Sequence, residues 1–222
     1  MRQPEVRLKP KLEIVKPDKE LLMPGELGAT VELTVSDSRT GKVTEHRGPM
    51  RSESFVRQFL ELLWMQMYPI GMLTEYQLRD TGNNLRQIAT TSYMFAANAG
   101  IGVITFGIVG GTGNTPPTVN DYALQTPILH DSSPPTAGRM QYGAVTYGAP
   151  SSDTTTSQFT ITRNLANASG GSVTVNEIGV YVEASVYSTI YYFLTIRDVI
   201  GGGIAVPNGQ TLTINYRPQA VV

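Results

Sequence analysis

Residues 172–183 read Ser-Val-Thr-Val-Asn-Glu-Ile-Gly-Val-Tyr-Val-Glu, a stretch rich in β-branched side chains. Its valines before Asn176 occupy odd positions, whereas the isoleucine and valines after Glu177 occupy even positions. Successive side chains of a strand point to opposite faces, so an uninterrupted strand would turn these two groups away from each other. The pattern therefore predicts a strand with a β-bulge at Asn176-Glu177.

Similar short apolar segments lie on both sides of this strand, between clusters of Gly, Pro, Asn and Ser. We predict strands at residues 88–95, 101–109, 140–147, 157–163, 172–183, 190–198 and 211–216, with residues 71–87 as a linking stretch and residues 201–209 as a spacer. Many short strands between turn clusters are typical of an antiparallel β-sandwich or jelly-roll-like domain, and not of a parallel α/β fold.

A hairpin is predicted near the beginning of the domain. Residues 29–36 alternate apolar with polar side chains, residues 37–41 supply turn chemistry, and residues 42–47 return as the second strand. Two such runs joined by a short polar turn are typical of a β-hairpin.

One helix is predicted over about residues 52–68. Ser52 is suited to cap it, and no proline follows until Pro69. One face of this helix is formed by Val56, Phe59, Leu60, Leu63 and Met67. Further apolar residues widen that face beyond an ordinary amphipathic stripe, so we expect a helix buried on more than one side.

Residues 1–28 are predicted to form an extended arm, because a proline every six or seven residues excludes a continuous helix. Its apolar residues alternate with charged ones and are Val6, Leu8, Leu12 and Ile14. Fully extended, the arm reaches about 90 Å at ~3.3 Å per residue. We expect these four residues to pack on a neighbouring subunit; an arm folded back on its own domain, or a disordered leader, is the alternative.

The remaining chain, residues 29–222, is interpreted as a single β-rich domain. It comprises the hairpin and helix at residues 29–70 and the β-sandwich at about residues 87–218.

Charge is unevenly distributed along the chain. The totals are 17 Lys+Arg and 18 Asp+Glu, but all the lysines precede residue 43. From Gln87 onward the charged residues are Asp121, Asp131, Arg139, Asp153, Arg163, Glu177, Glu183, Arg197, Asp198 and Arg217. An ordinary soluble domain is about a quarter charged. Uncharged polar groups lose their water at lower cost than ions, so this part of the surface is suited to burial against other molecules.

Several classes of function are disfavoured by the composition. A net charge of -1 provides no attractive field for a nucleic-acid duplex or an anionic membrane. No apolar run approaches the roughly 18 residues that a membrane-spanning helix needs. The absence of Cys excludes disulfides, thiolate nucleophiles and Cys-ligated metals. We therefore expect no nucleic-acid or membrane partner and no cofactor.

Neither the glycine-rich run nor the histidines provide a chemical site. The run at residues 107–114 is rich in glycine, but it lacks the third glycine and the helix start of a dinucleotide loop, and no Gly-Lys-Ser/Thr follows. His46 and His130 are isolated, which provides neither the usual zinc spacing nor a Ser-His-Asp site. We expect no catalytic and no metal-binding residues.

The acidic residues leave two interpretations open. Glu177 lies at the predicted bulge, and Arg163 and Arg197 each end an apolar strand. A buried ion pair of Glu177 with Arg163 or Arg197 is the first interpretation. The second is a glycosidase, which requires a pair of carboxylates whose spacing only a structure can give. Tyrosines of the same region could stack on sugars.

Seven segments carry a resemblance to a known family: Gly107-Ile-Val-Gly-Gly-Thr-Gly113, Asp121-Tyr-Ala-Leu124, Tyr142-Gly-Ala144, Phe159-Thr-Ile-Thr-Arg-Asn164, Ser169-Gly-Gly-Ser-Val-Thr-Val-Asn-Glu-Ile-Gly-Val-Tyr-Val182, Arg197-Asp-Val199 and Val206-Pro-Asn-Gly-Gln-Thr-Leu-Thr-Ile-Asn-Tyr216. Their order resembles a family of tailed-bacteriophage virion proteins. A helix after a short hairpin resembles the N-terminal part of that family. The resemblance covers roughly residues 29–216.

The resemblance implies a non-enzymatic structural protein located in the virion, as a capsid-decoration, neck, tail or baseplate component. Its expected partners are copies of itself and other virion proteins. It implies no catalytic residues. The alternative function is a carbohydrate-binding surface module that contacts host glycans through tyrosines and loop residues.

Overall fold

The computed structural model of the chain describes Leu22 and residues 26–52, 55–67, 77–87, 95–186 and 189–221. These residues are mainly β, and the sheets are antiparallel, as the sequence predicts. The elements are β1 (Leu27–Asp37), β2 (Val43–Arg51), α1 (Arg57–Met67), β3 (Gln77–Arg79), β4 (Leu85–Gln87), β5 (Gly107–Gly111), β6 (Gln141–Tyr142), β7 (Thr146–Tyr147), β8 (Ser151–Ser152), β9 (Thr156–Gln158), β10 (Ile161–Ala166), β11 (Val173–Val186), β12 (Thr189–Val206) and β13 (Gln210–Val221).

The larger sheet joins the two ends of the described chain. Its order is β2-β1-β13-β10-β6, with β7 beside β10 and with β9 and β8 beyond β13. The predicted hairpin is confirmed as β1 and β2. The β1 strand lies between β2 and β13, with Val31 opposite Tyr216 and Leu33 opposite Ile214. These pairs are buried, so the alternation of apolar residues in both strands sets their register.

The second sheet has the order β12-β11-β5, and a small third sheet pairs β3 with β4. Apolar residues of both larger sheets belong to one buried cluster, which includes Leu33 of β1, Leu212 of β13 and Val180 of β11. The hydrophobic core thus lies where these two sheets contribute side chains together.

The β11 and β12 strands change register at the predicted bulge. Val175 pairs with Ile204 and Glu177 pairs with Val199, so Asn176 alone faces the four β12 residues between those partners. This confirms the β-bulge at Asn176-Glu177, and the additional residues belong to β12.

The expected spacer over residues 201–209 is wrong, because β12 continues to Val206. Gly203 has a φ of +61°, and a Cβ at this position would overlap Asn176 Oδ1. Glycine is therefore required for the strand to bulge past Asn176, and it does not end the strand.

The strand predicted at residues 101–109 is shorter than expected. Only Gly107–Gly111 forms β5, because the carbonyls of Gly100, Val103 and Phe106 accept hydrogen bonds from Arg163 and not from a neighbouring strand. The predicted strand at 88–95 lies mostly outside the described residues. The linking stretch at 71–87 contains the β3–β4 hairpin in its described part.

The helix begins later than predicted, at Arg57. Phe55 forms a β-bridge with Ile196, so this residue pairs with β12 and is not part of the helix. Ser52 does not cap the helix, because its hydroxyl donates to Asp198. Leu60, expected on the buried face, is 63% exposed, whereas Leu62 is fully buried.

The predicted interface residues Val6, Leu8, Leu12 and Ile14 of the arm lie outside the described residues. Leu22 is buried, and its side chain covers Gly28. The first strand begins at Leu27, so it includes the last two residues that we assigned to the arm.

Candidate functional site

The carboxylate of Glu177 is the centre of a buried polar cluster. Its Oε2 atom lies 2.8 Å from Nη2 of Arg197, and the side chains of the two residues are 0% and 2% exposed. Its oxygens also accept hydrogen bonds from the backbone amides of Gly113, Gln125 and Thr126 at 2.8–3.2 Å. A buried carboxylate with these partners is fully satisfied by the protein itself.

Arg197 links this carboxylate to a second one. Its Nη1 atom donates to Asp121 at 2.7 Å, and Nη2 donates to the carbonyl and the hydroxyl of Thr115 at 3.1 Å. Burial would raise the pKa of Asp121, but hydrogen bonds from Thr118 and Arg197 outweigh it and lower that pKa. The cluster therefore holds residues 112–126 against the second sheet.

The glycine run before this loop is shaped by Glu177. A Cβ on Gly111 would lie 2.6 Å from Glu177 Oε1, and one on Gly113 would lie 2.5 Å from the same atom. The amide of Gly113 already donates to Glu177. The glycines thus make room for a protein carboxylate.

Four of the segments that carry the family resemblance meet at this cluster. The glycine run, the segment with Asp121, the segment with Glu177 and the segment with Arg197 all contribute contacts. In addition, the amide of Leu124 donates to the hydroxyl of Tyr181 at 2.6 Å. In this structure these motif residues hold the fold together.

Of the two arginines proposed as partners of Glu177, Arg197 forms the pair, and Arg163 has other partners. Its guanidinium is fully buried and donates to backbone carbonyls, including those of Gly143 at 2.9 Å and Ile108 at 2.8 Å. It also lies 4.8 Å from the ring centroid of Tyr142. Burial lowers the pKa of Arg163 to about 10, so the side chain remains charged at neutral pH. Carbonyl dipoles and an aromatic face take the place of a carboxylate.

A third buried polar group was not expected from the sequence. Asp198 Oδ2 accepts hydrogen bonds from the hydroxyls of Ser52 at 2.8 Å and Tyr216 at 2.7 Å. Burial, and then the neighbouring Asp198 charge, raises the pKa of Tyr216 well above its ordinary value. This contact joins β12 to β13 and to the segment after β2. No spacing in the sequence signals it, because the three residues are far apart in the chain.

The residues considered for glycoside hydrolysis and sugar stacking are largely withdrawn from solvent. Glu177 and Asp198 are 0% and 7% exposed. Tyr142 and Tyr181 are buried and bonded to backbone groups. Tyr147, in contrast, is 46% exposed. Both carboxylates are therefore almost completely closed off from solvent in the folded protein.

His46 lies in β2, whereas His130 lies in the segment between β5 and β6. His46 lies 3.5 Å from Glu32, and the side chain of His46 is 47% exposed. His130 accepts a hydrogen bond from the amide of Tyr142 at 3.1 Å. Within the described ranges, no group of three or more His, Asp or Glu residues could hold a metal ion.

Most of the charged residues after Gln87 are buried or half-buried. Arg163, Arg197, Glu177, Asp131 and Asp198 are buried, and Arg139, Arg217, Asp121 and Glu183 are half-buried. Asp153 is the exposed one. Its carboxylate accepts hydrogen bonds from the amides of Thr155 and Thr156 within its own turn.

Four mostly exposed segments of this part of the chain carry little charge, and we name them the neutral loops: residues 112–120, 132–138, 146–155 and 170–172. Most of these residues are exposed, and Asp153 is the charged residue among them. Ser, Thr, Asn, Gly and Pro form most of the remainder. Such a surface can lose its water without removing ions from solvent.

Asn167 holds the backbone of the loop that includes residues 170–172. The side chain is 1% exposed, and its Nδ2 atom donates to the carbonyls of Gly171 and Val206. Its Oδ1 atom accepts a hydrogen bond from the amide of Ser169. The loop before β11 and the turn before β13 are therefore fixed to each other.

Comparisons with protein families, with curated proteins and with solved structures find no match for this chain. In the part of the chain that the structure describes, no helix has the length and hydropathy needed to cross a membrane.

Proposed function

We propose that this protein is a non-enzymatic structural component of a tailed-bacteriophage virion, in a capsid-decoration, neck, tail or baseplate position. Its two larger sheets form a β-sandwich, and the neutral loops and the N-terminal arm contact neighbouring subunits. The observation that carries the proposal is the placement of charge. Nine of the ten charged residues after Gln87 are buried or half-buried, which leaves the neutral loops with Asp153 alone.

The buried charges and the neutral loops serve different purposes. The Glu177–Arg197–Asp121 cluster and Asn167 fix the backbone of two of the loops, residues 112–120 and 170–172, so these two lose little conformational entropy when a neighbour binds. The exposed side chains are polar but uncharged, which lowers the cost of covering them. In a particle with many copies, weak contacts of this kind combine into firm attachment by avidity.

Incorporation into particles tests this proposal. Ser133→Lys, Thr154→Lys and Ser172→Lys each add one positive charge to the neutral loops. Val43→Lys adds the same charge to a 54% exposed residue of β2, in a hairpin that is already charged, and serves as the control. Each variant is co-expressed with the wild-type protein, and purified particles are examined by quantitative mass spectrometry.

We expect all four variants to keep the wild-type melting temperature. We expect at least a tenfold loss of incorporation for the loop variants, and wild-type incorporation for Val43→Lys. Absence of the wild-type protein from purified particles would overturn the virion proposal. Equal incorporation of all four variants would overturn the role of the neutral loops.

A second candidate function is binding of host glycans. The observation that favours it is Tyr147, which is 46% exposed beside the polar loop at residues 148–155. Aromatic rings next to polar side chains suit sugar recognition. Saturable binding on a glycan array that is lost in Tyr147→Ala would support this function, and silence across the array would remove it.

A further inference from the structure

An apolar groove opens beside the first residues of β1. It has a volume of about 360 Å³, and its lining residues include Phe55, Phe59, Phe95, Phe159, Ile161 and Val182. This volume is more than twice that of a cavity of about 150 Å³ that holds benzene. The groove can therefore take several aliphatic side chains.

Polar groups contribute little to this lining. Thr195 lines the groove, but its hydroxyl already donates to the carbonyl of Val180 at 2.9 Å. Tyr147 is at the groove and is 46% exposed, and Leu27 is 64% exposed. An occupant that gains free energy here must be apolar, because the groove offers little to pair with charges or amides.

The chain itself reaches this groove at its N-terminal end. Leu27 and Gly28 line it, and the Leu22 side chain lies where a Cβ of Gly28 would be, at 2.7 Å. Residues 1–21 precede Leu22 in the sequence and lie outside the described part of the chain. They include the four apolar residues that alternate with charged ones.

We propose that residues 6–14 of a second copy of this chain occupy the groove, with Val6, Leu8, Leu12 and Ile14 facing its aromatic lining. This inference rests on the proposed function in assembly. The charged residues between the four apolar ones remain in solvent, as expected for an extended segment with one apolar face. Burial of these apolar side chains supplies the favourable free energy that must exceed the entropic cost of ordering the arm.

The extended conformation expected for the arm favours a second copy over the same chain. Ile14 precedes Leu22 by eight residues, with Pro17 between them. An extended segment of that length carries Ile14 about 26 Å away from Leu22. Since Leu22 is already at the groove of its own domain, an extended arm delivers residues 6–14 to a neighbour.

Disulfide trapping tests the proposal, and the chain has no Cys that would interfere. Full-length Leu8→Cys protein is mixed with full-length Tyr147→Cys protein under mild oxidation. A disulfide requires Cα atoms within about 7 Å, so only a docked arm is trapped. The control partner is Ser172→Cys, whose exposed side chain lies just before β11 and eight residues before Val180 of the groove, about 26 Å at the rise of an extended chain.

We expect a reducible heterodimer from Leu8→Cys with Tyr147→Cys, at least ten times more abundant than from Leu8→Cys with Ser172→Cys. The double variant Leu8→Cys/Tyr147→Cys should then form linked dimers. A disulfide within one chain of that variant, or equal yields with both partners, would overturn the proposal. If cross-linking fails while the wild-type protein is present in particles, this inference falls and the proposed function stands.

Discussion

Glu177 and Arg197 lie on the neighbouring strands β11 and β12, and their side chains meet at 2.8 Å inside the protein. Glu177 is paired with Val199, two residues along β12 from Arg197, so the two side chains share one face of the sheet. The pair anchors the loop at residues 112–126, because both partners also bind its backbone or side chains.

We expect Glu177→Gln to lower the free energy of unfolding by about 3–5 kcal/mol, as measured by urea denaturation, because Arg197 loses a buried partner. Hydrogen exchange at the amides of Gly113 and Thr126 should accelerate. Asp153→Asn is the control, since it removes a carboxylate from an exposed turn, and its effect should stay within about 0.5 kcal/mol. Similar losses in the two variants would show that the cluster does not stabilise the fold.

Asp121 should make stability depend on acidity. Burial raises its pKa, but the hydrogen bonds from Thr118 and Arg197 lower the pKa below the ordinary value of 3.8. A carboxyl group with a lowered pKa in the folded protein stabilises it above the unfolded pKa, and this contribution is lost as the pH falls through the folded pKa. The difference in unfolding free energy between wild type and Asp121→Asn should therefore be constant near pH 6 and shrink below pH 3.8. A difference that does not change with pH would contradict this assignment.

Three tyrosines should resist ionisation until the protein unfolds. Burial raises the pKa of Tyr142, Tyr181 and Tyr216 above the ordinary value of 10.0. Their contribution to stability is complete below that value and is lost as the pH rises above it, because the unfolded state releases these protons first. Phenolate absorbance should show an early phase from exposed tyrosines and a later step that coincides with loss of the circular dichroism signal. A single gradual titration before unfolding would be incompatible with this placement.

The bulge offers a matched pair of glycine substitutions. Gly202 and Gly203 both have positive φ, +76° and +61°, but a Cβ on Gly202 meets nothing within 4 Å, whereas one on Gly203 overlaps Asn176. Gly202→Ala should cost about 1–2 kcal/mol from backbone strain alone. Gly203→Ala should cost more, since Asn176 must move and lose its hydrogen bond to the carbonyl of Thr112 at 2.8 Å. Equal melting temperatures for the two variants would argue against the overlap.

The features that the sequence predicts correctly have a local pattern. The alternation in residues 29–36 and 211–216 predicts two strands, and the register of β1 with β13 follows from their buried apolar residues. The change of parity at Asn176 predicts the bulge, because side chains alternate strictly along a strand. The position of Glu177 at this bulge favours a buried ion pair with an arginine, and Arg197 is its partner in the structure.

The features that the sequence does not predict depend on backbone groups or on distant residues. The sequence does not show which of Arg163 and Arg197 pairs with Glu177. The acceptors of Arg163 are backbone carbonyls, which every residue carries, so no sequence pattern marks them. Asp121 lies 76 residues from Arg197, and no spacing links them. The predicted start of the helix is too early. The β-bridge of Phe55 to Ile196 is a tertiary contact, and it overrides the local helical preference.

Arg163→Lys should show whether a guanidinium is required at a site without a carboxylate. The acceptors of Arg163 in the described residues are backbone carbonyls, among them those of Gly143 and Ile108. Its planar guanidinium also lies over the Tyr142 ring. Lysine keeps the charge but has three donors and no plane, so it cannot satisfy the same carbonyls or stack in the same way. We expect a loss of about 2–3 kcal/mol in unfolding free energy, with faster hydrogen exchange in residues 100–108. The control is Arg39→Lys, at an exposed position in the β1–β2 turn, where the change should stay within about 0.5 kcal/mol. If Arg163→Lys is as stable as the wild type, positive charge alone holds this loop, and the fork geometry of arginine is not needed.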